Sequence, residues 1–174
     1  MCNATGRDII FVSNIDNTGA TLDLKIAQFA CDEAVDYIME CTEKTENDIK
    51  KDSPIFAGVH VGRHRFLPVK KTDDLLAISS NLYTLSPERS LVLNRERPAP
   101  TVDLGKFFQN VDDFHARFED YPDILELDSL KIEGDVRFEK GVVLKGNVRI
   151  INKSGKQQTI KAGTCIDNRE VLFE

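Results

Sequence analysis

Toward its C-terminal end the chain returns an apolar residue at every sixth position. Leu130, Val136, Val142 and Val148 form one such series, and Ile132, Phe138, Leu144 and Ile150 form a second. The first series resumes at Ile160, Ile166 and Leu172, with Ser154 as its one interruption. Gly134, Gly146 and polar residues fill the intervals. Two apolar positions around one intervening residue, repeated every six, describe short strands that turn a corner each time. A parallel β-helix with three faces has this period, because each hexad lays one inward strand on one face. A meander or small sandwich would instead show turn signals about every eight to twelve residues. So short a stack buries little apolar area for the residues it orders, and its last coil leaves strand edges open. The pattern therefore predicts support from the preceding residues or from another subunit.

Upstream the periods differ. Residues 8–12 are mostly apolar and read as a buried strand, with residues 13–20 as the polar loop at its end. Residues 21–29 are helical by spacing, with Thr21 as the cap. Residues 32–44 suit a helix by propensity, or a buried strand around Tyr37, Ile38 and Met39. Residues 43–52 are a charge run and read as solvated loop. Residues 55–69 carry Gly58, Gly62 and Pro68 and read as strand plus loop. Thr72, Asp73 and Asp74 open a helix with a hydroxyl cap and acids, and place Leu75, Ile78 and Leu82 on one side. Residues 86–102 contain Pro87, Pro98 and Pro100 and read as extended connector. Residues 106–120 set Phe107, Val111, Phe114 and Phe118 on one helix face as core packing, and Pro122 stops that helix.

Composition narrows the class. Of 174 residues, 41% are hydrophobic and 30% charged, which suits a globular chain of one domain, or one domain with an annex. The net charge of -6 and the scattered lysines and arginines argue against nucleic acid as a partner. Cys2, Cys31, Cys41 and Cys165 are irregularly spaced and read as reduced thiols, which suggests a cytoplasmic location. No secretory h-region or membrane span is legible, so a membrane partner is not expected.

Two places offer chemistry. Asp16, past an apolar run and flanked by Asn14 and Asn17, offers hard oxygen ligands for Mg2+ and amides for sugar or phosphate oxygens. An ordinary Asx turn uses the same residues. Lys70 stands between Arg63, Arg65 and the helix beginning at Thr72, which suits a phosphate site; an exposed lysine beside Lys71 is the plainer reading. His60 and His64 have the spacing of two ligands on a helix, but Gly58 and Gly62 argue against a helix there. His115 reads as exposed. No nucleophile motif is present, and the hexad region contains no His for acyltransferase chemistry.

Three stretches then carry a resemblance: FVSNIDNTGATLDL, RHRFLPVKKTDDLLAISSNLYTL and RFEDYPDILELDSLKIEGDVRFEKGVVLKGNV. Together they resemble the eukaryotic UTP–glucose-1-phosphate uridylyltransferases, or UDP-glucose pyrophosphorylases. The resemblance implies an α/β fold: a partial Rossmann-like nucleotidyltransferase domain over residues 1–122, then a left-handed parallel β-helix over 123–174 used for subunit contacts. It makes residues 36–44 a strand. It implies that Asn14, Ile15 and Asp16 contact the sugar nucleotide, that Asp16 helps hold Mg2+, and that Lys70 contacts the phosphates as the catalytic residue. The implied reaction joins UTP and glucose 1-phosphate into UDP-glucose and pyrophosphate, by positioning and charge neutralisation.

The chain also departs from that family. The family's Gly-rich nucleotide loop lies upstream of the matching residues, and no run of closely spaced glycines replaces it. Between Asp52 and Ser53 the family carries a further long segment. Gly62 and His64 replace residues usual in the family. Orienting two reactants supplies roughly 7–11 kcal/mol of a barrier, so the chain alone is expected to be inactive or weakly active. The alternative is a non-catalytic fragment whose β-helix mediates association with a full-length homologue or within a homo-oligomer.

Overall fold

The structure, a computed structural model, describes residues 9–33, 35–43, 58–87 and 89–174. It is an α/β protein whose strands pair mainly in parallel. The chain divides into two compact units, Met1–Pro68 and Val69–Glu174. Most of the charge run at 43–52 lies outside the described residues.

In the first unit, helix α1 spans Leu24–Asp32. Its cap is Asp23, whose carboxylate accepts from the Lys25 N–H at 2.8 Å, and not Thr21. An aspartate two residues before the donor reaches this amide directly, whereas Thr21 lies too far upstream. Strand β1 (Glu40–Cys41) pairs in parallel with β2 (Val59–His60), so the ambiguous stretch after α1 contains a strand, but it follows Tyr37, Ile38 and Met39 rather than centring on them, and Tyr37 is exposed. The strand expected at residues 8–12 is not found among the described residues. Ile9, Ile10, Phe11 and Val12 are exposed and outside any strand. An apolar run asks for cover, but a parallel strand also needs a neighbour on the sheet. No described strand pairs with this run.

The second unit is built on stacked parallel strands: β5 (Thr101–Asp103), β6 (Leu127–Glu133), β7 (Val136–Phe138), β8 (Val143–Asn152), β9 (Gln158–Ile160), β10 (Cys165–Asp167) and β11 (Glu170–Phe173). Phe118 bridges Phe138, which pairs with Ile160. Asp123 bridges Val143, which pairs with Cys165. Val102 pairs with Leu130 and Leu130 with Val148, while Ile132 pairs with Ile150 and Ile150 with Val171. Both hexad series from Leu130 to Ile150 are buried at every position, as are Ile160 and Ile166. Leu172 departs from the series and is exposed. Asn168 adopts a left-handed conformation at φ 44°, and the tight corner it forms brings Val171 into line with Ile150. Gly134 serves another corner at φ 105°, where an added Cβ would strike the Asn152 carbonyl oxygen.

The residues before the stack share its core. Helix α2 (Thr72–Ser79) contributes Leu76, which is fully buried in place of the expected Ile78, and Leu82 follows it inward. Thr72 is the first helical residue and not the cap. The Asp74 carboxylate instead accepts from the N–H groups of Lys70 and Lys71, at 2.9 and 3.0 Å. Residues 86–102 are not simply a connector: β3 (Tyr83–Leu85) and β4 (Leu91–Leu93) form an antiparallel hairpin. Arg95 fastens its exit by donating to the carbonyls of Leu125, Leu127 and Pro98. The Phe helix is broken into a 3-10 turn (Lys106–Phe108) and α3 (Val111–Arg117), which Asn110 caps. That break turns Phe108 inward and leaves Val111 exposed. Phe108, Phe114 and Phe118 then meet Phe138 and Tyr121 in one aromatic cluster.

Val142→Asp places an unpaired carboxylate in this core. It should destabilise the second unit by several kcal/mol, roughly the upper range for point substitutions. Thermal melting followed by circular dichroism checks this, and an unchanged melt would reject the hexad core.

Candidate functional site

The turn at Asn14–Asn17 is made by the backbone and then pinned by side chains. The Asn17 N–H donates to the Asn14 carbonyl at 3.1 Å, and Ala20 N–H to the Asn17 carbonyl at 3.1 Å. Ile15 is fully exposed at the tip, Asn14 is exposed, and Asp16 is half-buried. Asn17 is occupied internally and is not a ligand amide. Its Oδ1 accepts from Leu67 N–H at 2.8 Å and Gly19 N–H at 3.2 Å, while its Nδ2 donates to the Arg65 carbonyl at 3.1 Å. Thr18 donates to the Leu67 carbonyl through both its N–H, at 3.1 Å, and its hydroxyl, at 2.8 Å.

Arg65, expected from the sequence beside Lys70 at a phosphate site, instead turns its guanidinium to Glu40 and Thr21. It is buried, and its guanidinium forks onto both Glu40 carboxylate oxygens at 2.6 Å each. Nη1 also donates to the Thr21 hydroxyl at 3.2 Å, and Nη2 to the Thr21 carbonyl at 2.8 Å. The hydrogen bond to Glu40 holds the guanidinium even more firmly protonated than usual. Glu40 and Arg65 lie far apart in sequence, and nothing in their local patterns marks them as partners. An open cavity of about 550 Å³ adjoins this turn, lined by Phe11, Val12, Asn14, Tyr37, Met39 and Arg65 among others.

In the second unit, Lys70 is exposed just before α2. A depression of about 350 Å³ is lined by Lys70, Lys71, Asp73, Asp103, Lys106 and Gln109. Lys71 and Lys106 join Lys70 there, so three ammonium groups accompany two carboxylates. Asp73 Oδ1 accepts from Leu104 N–H at 2.9 Å and ties α2 to the end of β5. Burial raises the Asp73 pKa, and the neighbouring Asp103 adds to the rise.

Other candidates separate cleanly. His60 lies in β2 and His64 in a 3-10 turn (Arg63–Arg65), so they share no helix. His115 is exposed, and its Nδ1 lies 3.0 Å from the Tyr121 hydroxyl. Among the described residues no group of three or more His, Cys, Asp or Glu side chains could hold a metal. No helix of the described residues is long and apolar enough to cross a membrane.

Comparison with known proteins adds an independent line. A family model described as UTP–glucose-1-phosphate uridylyltransferase matches residues 2–55 and 51–145. A UTP–glucose-1-phosphate uridylyltransferase 2 of Dictyostelium discoideum is 30% identical over 254 residues, covering 95% of this chain and 50% of the relative. With 254 aligned positions against 174 residues here, at least 80 positions of that relative have no counterpart. The two family matches meet at 51–55. The Hordeum vulgare enzyme of the same name is 48% identical over 117 residues, or 66% of this chain and 24% of its own length. The chain thus spans about half the length, or less, of these relatives. A UDP-glucose pyrophosphorylase mutant from Leishmania major, solved in complex with UDP-glucose, superimposes with a TM-score of 0.63 at 29% identity, over 67% of this chain and 25% of its own. A Trypanosoma brucei structure described as a UDP-glucose phosphorylase reaches a TM-score of 0.76 over 90% of this chain and 56% of its own, and at 22% identity it supports the fold alone.

Asp73→Asn keeps an oxygen acceptor for Leu104 and removes the titrating group. A carboxyl whose folded pKa is raised favours the folded state most below its unfolded value of about 3.8, and that advantage is lost as pH rises through the folded pKa. Denaturation at several pH values should therefore show the variant gaining stability over the wild type at neutral pH but not below pH about 3.8. Equal stability at all pH values would contradict a half-buried Asp73 with a raised pKa.

Proposed function

The chain belongs to the UTP–glucose-1-phosphate uridylyltransferase family, and on that premise we propose that it retains the family's sugar-nucleotide recognition loop and binds UDP-glucose. The carrying observation is the Asn14–Asn17 turn, held rigidly from behind by Asn17 while Asn14, Ile15 and Asp16 face outward or lie half-covered. In this reading Asn14 and the turn backbone engage the sugar nucleotide, and Asp16 carries the negative charge that attracts a cation. Lys70, by its match to the family's lysine, would contact the phosphates.

The residues fit Mg2+ in one way only. Mg2+ commonly takes one or two carboxylates and fills its octahedron with phosphate oxygens and water. Asp16 suits that role, and the described residues offer no cage made by protein alone. When bound, the ion neutralises phosphate charge.

The family reaction would join UTP to glucose 1-phosphate. A sugar-phosphate oxygen attacks the α-phosphorus of UTP, the bond from that phosphorus to the bridging oxygen breaks, and pyrophosphate leaves. Lys70 would neutralise charge that spreads over the phosphates in such a transfer. The matched sequence contains no run of glycines for cradling a triphosphate, so we expect recognition without substantial turnover by this chain alone. A cytoplasmic setting suits the same reading.

A second reading rests on the stacked strands of the second unit. Their in-register parallel ladders support a β-helix there; its left hand, its bounds at residues 123–174 and the partial nucleotidyltransferase domain over residues 1–122 are what the family resemblance implies. Leu172 is exposed on β11, the last strand, where another copy or a full-length homologue could pair.

Calorimetric titration with UDP-glucose and Mg2+ tests the first reading. Binding at micromolar to low-millimolar levels is expected, abolished in Asp16→Ala and weakened in Lys70→Ala. Lys70→Ala should leave stability within about 0.5 kcal/mol, as at other exposed positions. A folded chain that binds no UDP-glucose would reject this reading and favour the second.

A further inference from the structure

We propose that Arg65 is a positioning residue that sets the conformation of the Asn14–Asp16 turn through Thr21, Asn17 and Glu40. The proposal rests on the reading of that turn as the sugar-nucleotide loop. Four observations converge on it. The Arg65 guanidinium grips the loop's C-terminal end, with one nitrogen on the Thr21 hydroxyl and another on the Thr21 carbonyl. The Arg65 carbonyl takes the Asn17 amide at the loop's centre. Gly19 lies so close to the same segment that an added Cβ would sit 2.5 Å from the His64 carbonyl oxygen and 2.8 Å from the Arg65 carbonyl carbon. Glu40 on β1 fixes the guanidinium from the other side with a bidentate pair.

The geometry has a chemical reason. A guanidinium offers five donors in a planar fork, so one buried side chain can hold a carboxylate and two loop oxygens together. A lysine at the same place brings the charge but not the fork. Glu40 occupies two donor directions and leaves the outer ones aimed at Thr21. The loop is thereby fixed at Asn17 and at Thr21, on the chain just after the residues that face outward. Asp23, whose carboxylate lies 3.9 Å from Arg65 and caps α1, extends the same fixation into the helix that follows.

This differs from a role in folding alone. Arg65 touches the loop at its own backbone and side chain, whereas the β1–β2 ladder has backbone bonds of its own, with Val59 N–H on Met39 and Val61 N–H on Cys41, each at 2.8 Å. Arg65→Lys should therefore loosen the loop and leave the ladder in place.

Amide hydrogen exchange on the full chain reads both. In Arg65→Lys, the Thr18 and Ala20 amides should exchange at least about tenfold faster than in the wild type, while the Val59 and Val61 amides keep their protection. UDP-glucose affinity, measured with Mg2+ present, should fall about tenfold. Glu40→Gln keeps an oxygen on Arg65 but loses the charge, and should produce a smaller change in the same amides. Unchanged exchange at Thr18 and Ala20 in Arg65→Lys would overturn the proposal. So would loss of protection at Val59 and Val61 to the same extent, which would make Arg65 a general stabiliser. Loosened loop amides with unchanged UDP-glucose affinity would overturn it as well. Loosened amides in a chain whose wild type binds no UDP-glucose would uphold the clamp and reject the sugar-nucleotide reading separately.

Discussion

Short parallel strands cannot bury themselves, and the second unit depends on stacking them in register. Each inward residue meets an inward residue of the next layer: Phe118 on Phe138 on Ile160, Ile132 on Ile150 on Val171. The rings of Phe118 and Phe138 lie 5.1 Å apart and nearly parallel, so the aromatic cluster continues the strand stack into the segment before it. A slip of one residue on any strand would turn its apolar set outward. This explains why α2, the Phe-rich turn and α3 all send residues into one core, with Leu76, Phe108 and Phe114 fully buried beside Val136 and Leu144. Burying a side chain of this size is worth about 1.5–3 kcal/mol.

The first unit is held differently. Its described apolar residues are largely exposed, and its two-stranded ladder is brief. Its loop at Asn14–Thr21 is ordered by polar contacts: the Asn17 amide, the Thr18 hydroxyl and the Arg65 fork. Such contacts are strongly directional and fix geometry well, although each contributes only about 0.5–3 kcal/mol. Loop geometry and core stability thus arise from different interactions in this chain. That separation suits a chain that spans about half the length of a longer relative.

The hexad register was legible because its period repeats many times, and each repeat reinforces the last. From Leu130 to Ile150 every expected inward position is buried. Leu172 escaped because one left-handed residue, Asn168, changes a corner without leaving a mark in the apolar pattern. Helix starts differ by one or two residues from the pattern: Asp23 caps α1 in place of Thr21, and Lys71 stands at the cap of α2 with Thr72 as its first residue. The Phe helix was read as continuous because Phe107 and Phe108 are adjacent, and only the Asn110 cap decides which one turns inward. The apolar run at 9–12 carried the signal of a buried strand but no information about its neighbours. Local pattern marks Asn14, Asp16 and Lys70 as candidates, and resemblance to a family adds Ile15 and a role for each. The pairing of Arg65 with Glu40 is not legible, because a contact between distant residues leaves no local period.

The Asn14–Asp16 turn is proposed to recognise a sugar nucleotide in a chain whose core lies in the stacked strands. Nuclear magnetic resonance of the isotope-labelled chain, titrated with UDP-glucose and Mg2+, tests it most directly. The account predicts saturable shifts of the Asn14 to Thr18 amides, with those of Leu130, Ile132, Val148 and Ile150 unmoved. Shifts confined to the stacked strands, or none at all from a folded chain, would contradict it.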